Sequence, residues 1–398
     1  MARFFKLHHI TAGFSAVIVG YSSAVVLIID LAKQAGATPD MVTSWLFALG
    51  LGMGLTGIFY SWLTKMPVVT AWSTPGAAFL LGSVSEYSLS ECIGAFVLCA
   101  LLSLVTAQSK HLLDLVKKIP TSLSSALLAG ILLPICFNIF THVGTDPELV
   151  TLFLAVYFIG KRFFQQYVML ILLLLAIGVS VLLTNANMPT LAFPTPILVL
   201  PEFSLSAFIG LAIPLYLITT LSQNLPGIAI HHAHGYYPNH KSILSGVALI
   251  QAVLSPLGGF TFNLAAITAA LCMGDEADKE KSERYKAAIA AGLGYLLLGL
   301  LASSVVVLFV NMPQEVIHLM AGLALLPTLE NALTKSFDVE SLRTPALATI
   351  LCCASGFTLF TLTSPVWGLM LGVVLLAIQR KAKKEDADYA NDAASRKA

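Results

Sequence analysis

Three short stretches of this chain set polar side chains beside helix breakers inside otherwise apolar sequence. Ser222-Gln223-Asn224-Leu225-Pro226-Gly227 puts three polar residues ahead of a Pro-Gly break. Ser73-Thr74-Pro75-Gly76 follows the β-branched and aromatic run Val68 to Trp72 and reads as a cap with a Pro at the first helical position, so an extended piece should give way to a half-helix. Ser255-Pro256 and Gly258-Gly259 interrupt the chain again. Phe260-Thr261-Phe262 can then be extended, and Asn263 can cap a helix from Leu264 to Cys272. A weaker polar island is Gly20-Tyr21-Ser22-Ser23, where Tyr21 and Ser22 are the candidates.

The chemistry available to such residues is binding rather than catalysis. A helix that starts inside the protein offers unpaired N–H groups and the positive end of its dipole, which suits an anion without any buried Lys or Arg. The amides of Gln223 and Asn224 add hydrogen bonds. Trp72 and Phe260 flank the two half-helix starts and could hold a flat ring between them. No His/Glu metal motif or nucleophile–base pair accompanies these residues, which argues against an enzyme, and no ring of charges or filter-like segment argues for a channel. No cofactor is expected.

The elements that position these residues must cross a membrane. Of 398 residues, 57% are hydrophobic and 11% charged, and the mean hydropathy is +0.85. A water-soluble fold could not cover so much apolar surface. Hydropathy places spans near residues 10–32, 43–63, 67–83, 91–108, 121–140, 148–160 and 166–184. After a Pro-bearing connector, more follow near 205–230, 242–256, 258–274, 287–310, 315–334, 344–362 and 364–379, fourteen in all. The fold class is therefore an all-α integral membrane protein with half-helices in spans 3 and 10. With the N-terminus cytoplasmic, every one of the 22 Lys and Arg except Lys33 falls on the inner side, so both termini are expected in the cytoplasm of a bacterial-type inner membrane. Met1 to His9, short and basic with no small-residue cleavage site, reads as the start of an uncleaved first span.

The spans repeat. Pro120 to Pro134 and Pro313 to Pro327, 193 residues apart, each open with Pro, contain Ala-Gly and close with Leu-Leu-Pro. Trp72 to Ala78 aligns with Phe260 to Ala266 at an offset of 188. Two seven-span halves, residues 1–185 and 205–380 joined by a periplasmic connector at 186–204, would be inverted because seven is odd. Residues 381–398 are polar and charged and read as a disordered cytoplasmic tail. The six cysteines lie in apolar stretches without metal or redox spacing, Gly50, Gly52, Gly54 and Gly57 suit close helix contact, and His231, His232 and His234 read as a cytoplasmic loop face. Asp30 and Glu330 lie near span ends, and no acid lies at a span centre. The balance of charge, +1 overall, gives no nucleic-acid surface.

Several of these stretches together resemble the benzoate membrane transport family of benzoate/proton symporters. They are Gly20-Tyr-Ser-Ser23, Ser44-Trp45, Pro67 to Ala78, Ser222 to Gly227 and Ala265-Ala-Ile-Thr-Ala-Ala270. That family is similar in fold to the nucleobase/ascorbate transporters. The resemblance implies a core of spans 1–4 and 8–11, a gate of spans 5–7 and 12–14, an elevator movement of core against gate, a homodimer, and a proton as coupling ion. In the nucleobase relatives acidic residues on spans 8 and 10 hold the substrate, and the matching places here are Gln223-Asn224 and Phe260. The implied substrate is a small aromatic carboxylate; the alternative is a nucleobase or inorganic anion on the same fold.

Overall fold

The computed structural model describes residues 4–165, 167–184, 192–310, 312–360 and 362–395. The last residue of the expected first half and the start of the expected connector, 185–191, lie outside the described residues. The first half consists of α1 (Leu7–Ser22), α2 (Val25–Gln34), α3 (Pro39–Thr64), strand β1 (Thr70–Trp72), α4 (Thr74–Leu81), α5 (Leu89–Gln108), the short α6 (Lys110–Lys117), α7 (Thr121–Thr141), α8 (Pro147–Phe163) and α9 (Val168–Thr184). The second half runs through α10 (Leu205–Ala233), α11 (His240–Leu254), β2 (Phe262–Leu264), α12 (Ile267–Met273), α13 (Tyr285–Leu300), α14 (Ala302–Val310), α15 (Gln314–Phe337), α16 (Arg343–Ala354) and α17 (Ser364–Ser395).

Among the described residues six helices are long and apolar enough to cross a bilayer, and a seventh is counted when Lys281–Leu300 and Ala302–Phe309, bent by 63°, are taken as one span. The span expected at 344–362 is shorter than the hydropathy suggested. Its helix stops at Ala354, Gly356 takes a φ of +70°, and Thr358–Leu359 pairs with Leu362–Thr363 in a small hairpin. The tail expected to be disordered continues the last helix to Ser395, where Ala, Lys, Glu and Asp are tolerated or favoured helix formers with charges of both signs.

The break expected at Pro226-Gly227 is a correction of a different kind. Residues Leu205–Ala233 form one continuous helix whose turns at Phe208–Ala212 and Thr220–Asn224 are widened to π geometry. Each wide turn lies just before a proline, Pro214 or Pro226. A proline ring clashes with the carbonyl four residues back and cannot bond to it, so loosening that turn lets the helix pass through without breaking.

The helices sort into two packed groups. In the first, α3 and α1 run along α13 while α5 runs along α11; in the second, α7 runs along α15 and α16, and α16 along α17. Close approach in the first group depends on glycine. A Cβ on Gly50 would lie 2.6 Å from the Cα of Gly299, and one on Gly54 would lie 2.8 Å from the Gly292 carbonyl oxygen. The groups touch where α4 meets α7, α2 meets α15, α1 meets α9 and the Thr220–Asn224 turn meets α7.

Candidate binding site at the paired strands and half-helices

At the centre of the first group β1 and β2 pair antiparallel, Thr70 with Leu264, Ala71 with Asn263 and Trp72 with Phe262. Main-chain bonds continue past the ladder at both ends: Ser73 N–H donates to the Thr261 carbonyl (3.2 Å), and Ala265 N–H to that of Val69 (3.0 Å). Two three-residue strands satisfy each other's backbone where no water of the bilayer interior could. This ribbon fixes what the half-helices present.

The first half-helix starts as its sequence requires. Ser73 Oγ accepts from Gly76 N–H at 3.0 Å, and Thr219 Oγ1 on α10 donates to the same oxygen at 2.9 Å, so the cap is also tied to α10. Thr74 is half-buried, and a Cβ on Gly76 would lie 2.8 Å from both Leu215 Cδ1 and the Ser73 hydroxyl.

The second half-helix departs from expectation. Asn263 is a strand residue and caps nothing; the helix begins at Ile267, three residues after the expected start at Leu264. Ladder pairing with Ala71 claims the Asn263 backbone, which a capping residue would have had to turn out of the strand. The side chain bends back so that Nδ2 donates to the Leu264 carbonyl (3.0 Å), leaving Oδ1 buried without a partner.

Phe260 and Trp72 also part company. Phe260 is fully buried with its ring centroid 6.1 Å from that of Phe96, which in turn lies 5.6 Å from Trp45. The ring beside Trp72 is Tyr21, at 5.2 Å. The reason is register: Gly258 at φ +96° turns the chain, and the ladder then sets Phe262, not Phe260, across from Trp72. Gly259 is consumed in that turn, its N–H donating to the Leu254 carbonyl and its own carbonyl accepting from Ser255 Oγ. Because side chains alternate along a strand, Trp72 and Phe262 share one face of the ribbon and Asn263 lies on the other.

The widened turn of α10 brings Asn224 to the ribbon, where its Oδ1 accepts the Leu264 N–H at 3.0 Å. Gln223 beside it remains half-buried. Asn224 and Phe262 also bound a cavity of about 100 Å³ that runs past Thr106, Tyr216 and Thr220 to His240 and Lys241 at the start of α11. Four buried polar atoms among the expected residues have no hydrogen-bond partner: Tyr21 Oη, Ser22 Oγ, Thr261 Oγ1 and Asn263 Oδ1. Native interiors rarely leave such groups unpaired unless a ligand, ion or water meets them.

Sequence reasoning missed two contributors. Thr219 carries the cap of α4 but lies outside the polar run of α10. His231, expected on a loop face, is fully buried, with Nδ1 2.9 Å from the Gly227 carbonyl and Nε2 3.0 Å from that of Pro67. It joins α10 to the chain that leads into β1. A neutral ring can donate to only one of those carbonyls at a time.

A two-group helical protein with two half-helices, each following one strand of a short ribbon, is a membrane-transporter architecture. It is similar to the transmembrane domain of the cyanobacterial bicarbonate transporter BicA, with a TM-score of 0.62 at 13% identity over 92% of this chain and 97% of that one. SLC26A9 gives a TM-score of 0.62 at 14% identity over 94% of this chain and 65% of that one. Within that architecture the sequence is more specific. The profile of the family described as "Benzoate membrane transport protein" matches residues 3–378. The benzoate membrane transport protein of Acinetobacter baylyi is 36% identical over 94% of this chain and 95% of its own length; inner membrane protein YdcO of Escherichia coli is 35% identical over 92% and 94%. The chain belongs to the benzoate membrane transport protein family, a family of multi-pass membrane transporters and not of enzymes.

Proposed function

We propose that this protein imports benzoate or a similar small aromatic carboxylate by proton symport, with the two packed helix groups acting as core and gate in an elevator-type cycle. The observation that carries the substrate reading is the set of buried, unpartnered hydroxyls at Tyr21, Ser22 and Thr261, with the Tyr21 ring against Trp72 and the Thr261 carbonyl bonded to Ser73 N–H at the start of α4. Hydroxyls there can donate to a carboxylate, the α4 dipole favours its charge, and the Tyr21–Trp72 pair offers the ring a flat apolar wall. Gln223 and Asn224 bound the site from α10.

The fourteen-span, inverted-repeat reading has support in the spacing of caps. Ser73 and Ala266, the residues preceding α4 and α12, are 193 apart, the same interval as Pro120 and Pro313 ahead of α7 and α15. A single interval serves both pairs, in place of the offset of 188 that aligned Trp72 with Phe260. The inside-positive charge pattern supports cytoplasmic termini.

Competition in proteoliposomes tests the function. Unlabelled benzoate and ring-substituted benzoates of similar size should compete with labelled benzoate uptake, whereas benzamide, which keeps the ring but lacks the charge, should compete poorly. Equal competition by benzamide would sink the anion site; inhibition by uracil or sulfate, but not benzoate, would transfer the protein to the nucleobase or inorganic-anion reading.

A further inference from the structure

We propose that His142, His318 and Asp30 form a one-proton site on the outer seam between core and gate, and that the proton bound there is the coupling ion. This rests on the core-and-gate reading and on the topology with cytoplasmic termini, which puts the end of α2, the end of α7 and the start of α15 on the outer side.

His142 follows the last turn of α7, and His318 lies in the second turn of α15. Their rings stack at 27° with His142 Nε2 3.0 Å from His318 Nδ1. At that distance a single hydrogen lies between the two nitrogens: one ring donates and the other accepts. Of the two remaining ring nitrogens, one then carries hydrogen and the other is bare. A proton from outer water adds to the bare nitrogen, forming one N–H bond and leaving the shared hydrogen in a charge-assisted N–H···N contact. A second added proton would set N–H against N–H, so the pair takes one and no more.

The countercharge comes from the other helix group. Asp30 sits on α2, the helix that packs against α15, with its Oδ2 held by Gln34 Nε2 at 3.1 Å. The other charged groups here are Glu315 on α15, Lys33 on α2, whose Nζ reaches the Phe309 carbonyl, and the exposed Asp146 on the loop after α7, whose N–H donates to the His142 carbonyl. Asp30, His142 and His318 are all half-buried, open to water but partly shielded. With the pair neutral, Asp30 faces no cation from α15; with the proton bound, an ion pair joins core to gate. Proton occupancy thereby changes how strongly the two groups hold together, which is what coupling requires. It also reconciles a proton-driven cycle with span centres that contain no acid.

The experiment uses the full-length protein in proteoliposomes with labelled benzoate. One proton per anion should give about tenfold accumulation for each unit of inward pH gradient. His142→Gln and His318→Gln should each bring accumulation down to the equilibrium level while benzoate–benzoate exchange without a gradient stays measurable. Asp30→Asn should move the acid dependence of uptake to lower external pH. Histidine ¹⁵N NMR of the substrate-free protein should show rings 142 and 318 titrating as one unit, and either Gln variant should leave the other ring titrating alone. Full accumulation in both variants, loss of exchange along with accumulation, wild-type uptake indifferent to the gradient, or two independent titrations would each overturn the site. If the rings titrate as one unit yet the wild type moves no benzoate, the substrate reading fails and the proton site stands.

Discussion

At the scale of single residues, Asn224 and Gln223 separate two roles that adjoin in sequence. Asn224 is committed to the ribbon through Leu264 N–H, so Asn224→Ala leaves a buried donor unpaired at a cost of about 1–3 kcal/mol and should lower both thermal stability and uptake. Asn224→Asp keeps the acceptor but sets a negative charge beside an anion site; it should restore stability and still transport poorly, as paired melting and uptake assays would read. Gln223→Ala should depress uptake by several-fold with little change in melting, because the side chain is half-buried at a turn that faces α7. Wild-type transport in Gln223→Ala would remove that amide from the site.

At the scale of elements, junctions carry the constraints. Gly258 combines φ +96° with a would-be Cβ only 1.8 Å from Trp45 Cδ1, so Gly258→Ala must shift the turn that sets ribbon register and should abolish folded expression. Gly94→Ala, whose Cβ would meet the Glu202 carbonyl oxygen at 1.9 Å, should push the connector off α5; accelerated proteolysis near residue 202 with the rest of the chain protected is the expected result.

The N-terminus is pinned in another way. Asp278 Oδ2 accepts from Lys6 Nζ (2.9 Å), His8 Nε2 (2.9 Å) and His9 Nε2 (2.8 Å), and Oδ1 accepts Glu280 N–H. His9 Nδ1 accepts the Lys6 backbone N–H, which leaves its proton on Nε2 for the carboxylate and not a lone pair for a metal. Burial raises the Asp278 pKa, but those donors outweigh it and hold the carboxyl well below its usual range; the Lys6 ammonium is raised, first by its bond to Asp278. The Asp278 contribution is thus present above about pH 4 and lost as pH falls toward the depressed value, while that of Lys6 is present below about pH 10 and lost only above it. Asp278→Asn should therefore lower the melting temperature at neutral pH, and its difference from wild type should shrink only in strong acid. A difference that vanished near pH 6 would contradict this account.

At the scale of the whole molecule, an elevator cycle predicts that distances within a helix group persist while distances between groups change. Spin labels at exposed Asp40 and Glu86, both in the proposed core, should keep one distance distribution, whereas labels at Asp40 and Thr145, on core and gate, should shift when benzoate and external acid are added. Pulsed dipolar spectroscopy reads both pairs, and a rigid Asp40–Thr145 distance would count against the elevator.

The sequence by itself determined whatever depends on local chemistry or on summed hydropathy. A chain this apolar has to lie in a bilayer, Ser73 before Thr-Pro-Gly has to cap a helix, and the run Val68 to Trp72 favours extension; the structure has the cap and the strand, and among the described residues six helices long and apolar enough to cross. Family membership was legible for the same reason, since the Trp72 to Ala78 and Ser222 to Gly227 segments are contiguous. What only the tertiary structure decided are relations between distant segments. Ladder register set Phe262 rather than Phe260 against Trp72 and took Asn263 out of its cap. Packing buried His231, which its sequence neighbours His232 and His234 made look like part of a polar loop. The meeting of α7, α15 and α2 put His142 within 3.0 Å of His318 beside Asp30. The physical reason is common to these cases: a strand pair or helix crossing fixes a residue's environment through atoms far away in the chain, and periodicity, propensity and capping rules respond only to near neighbours.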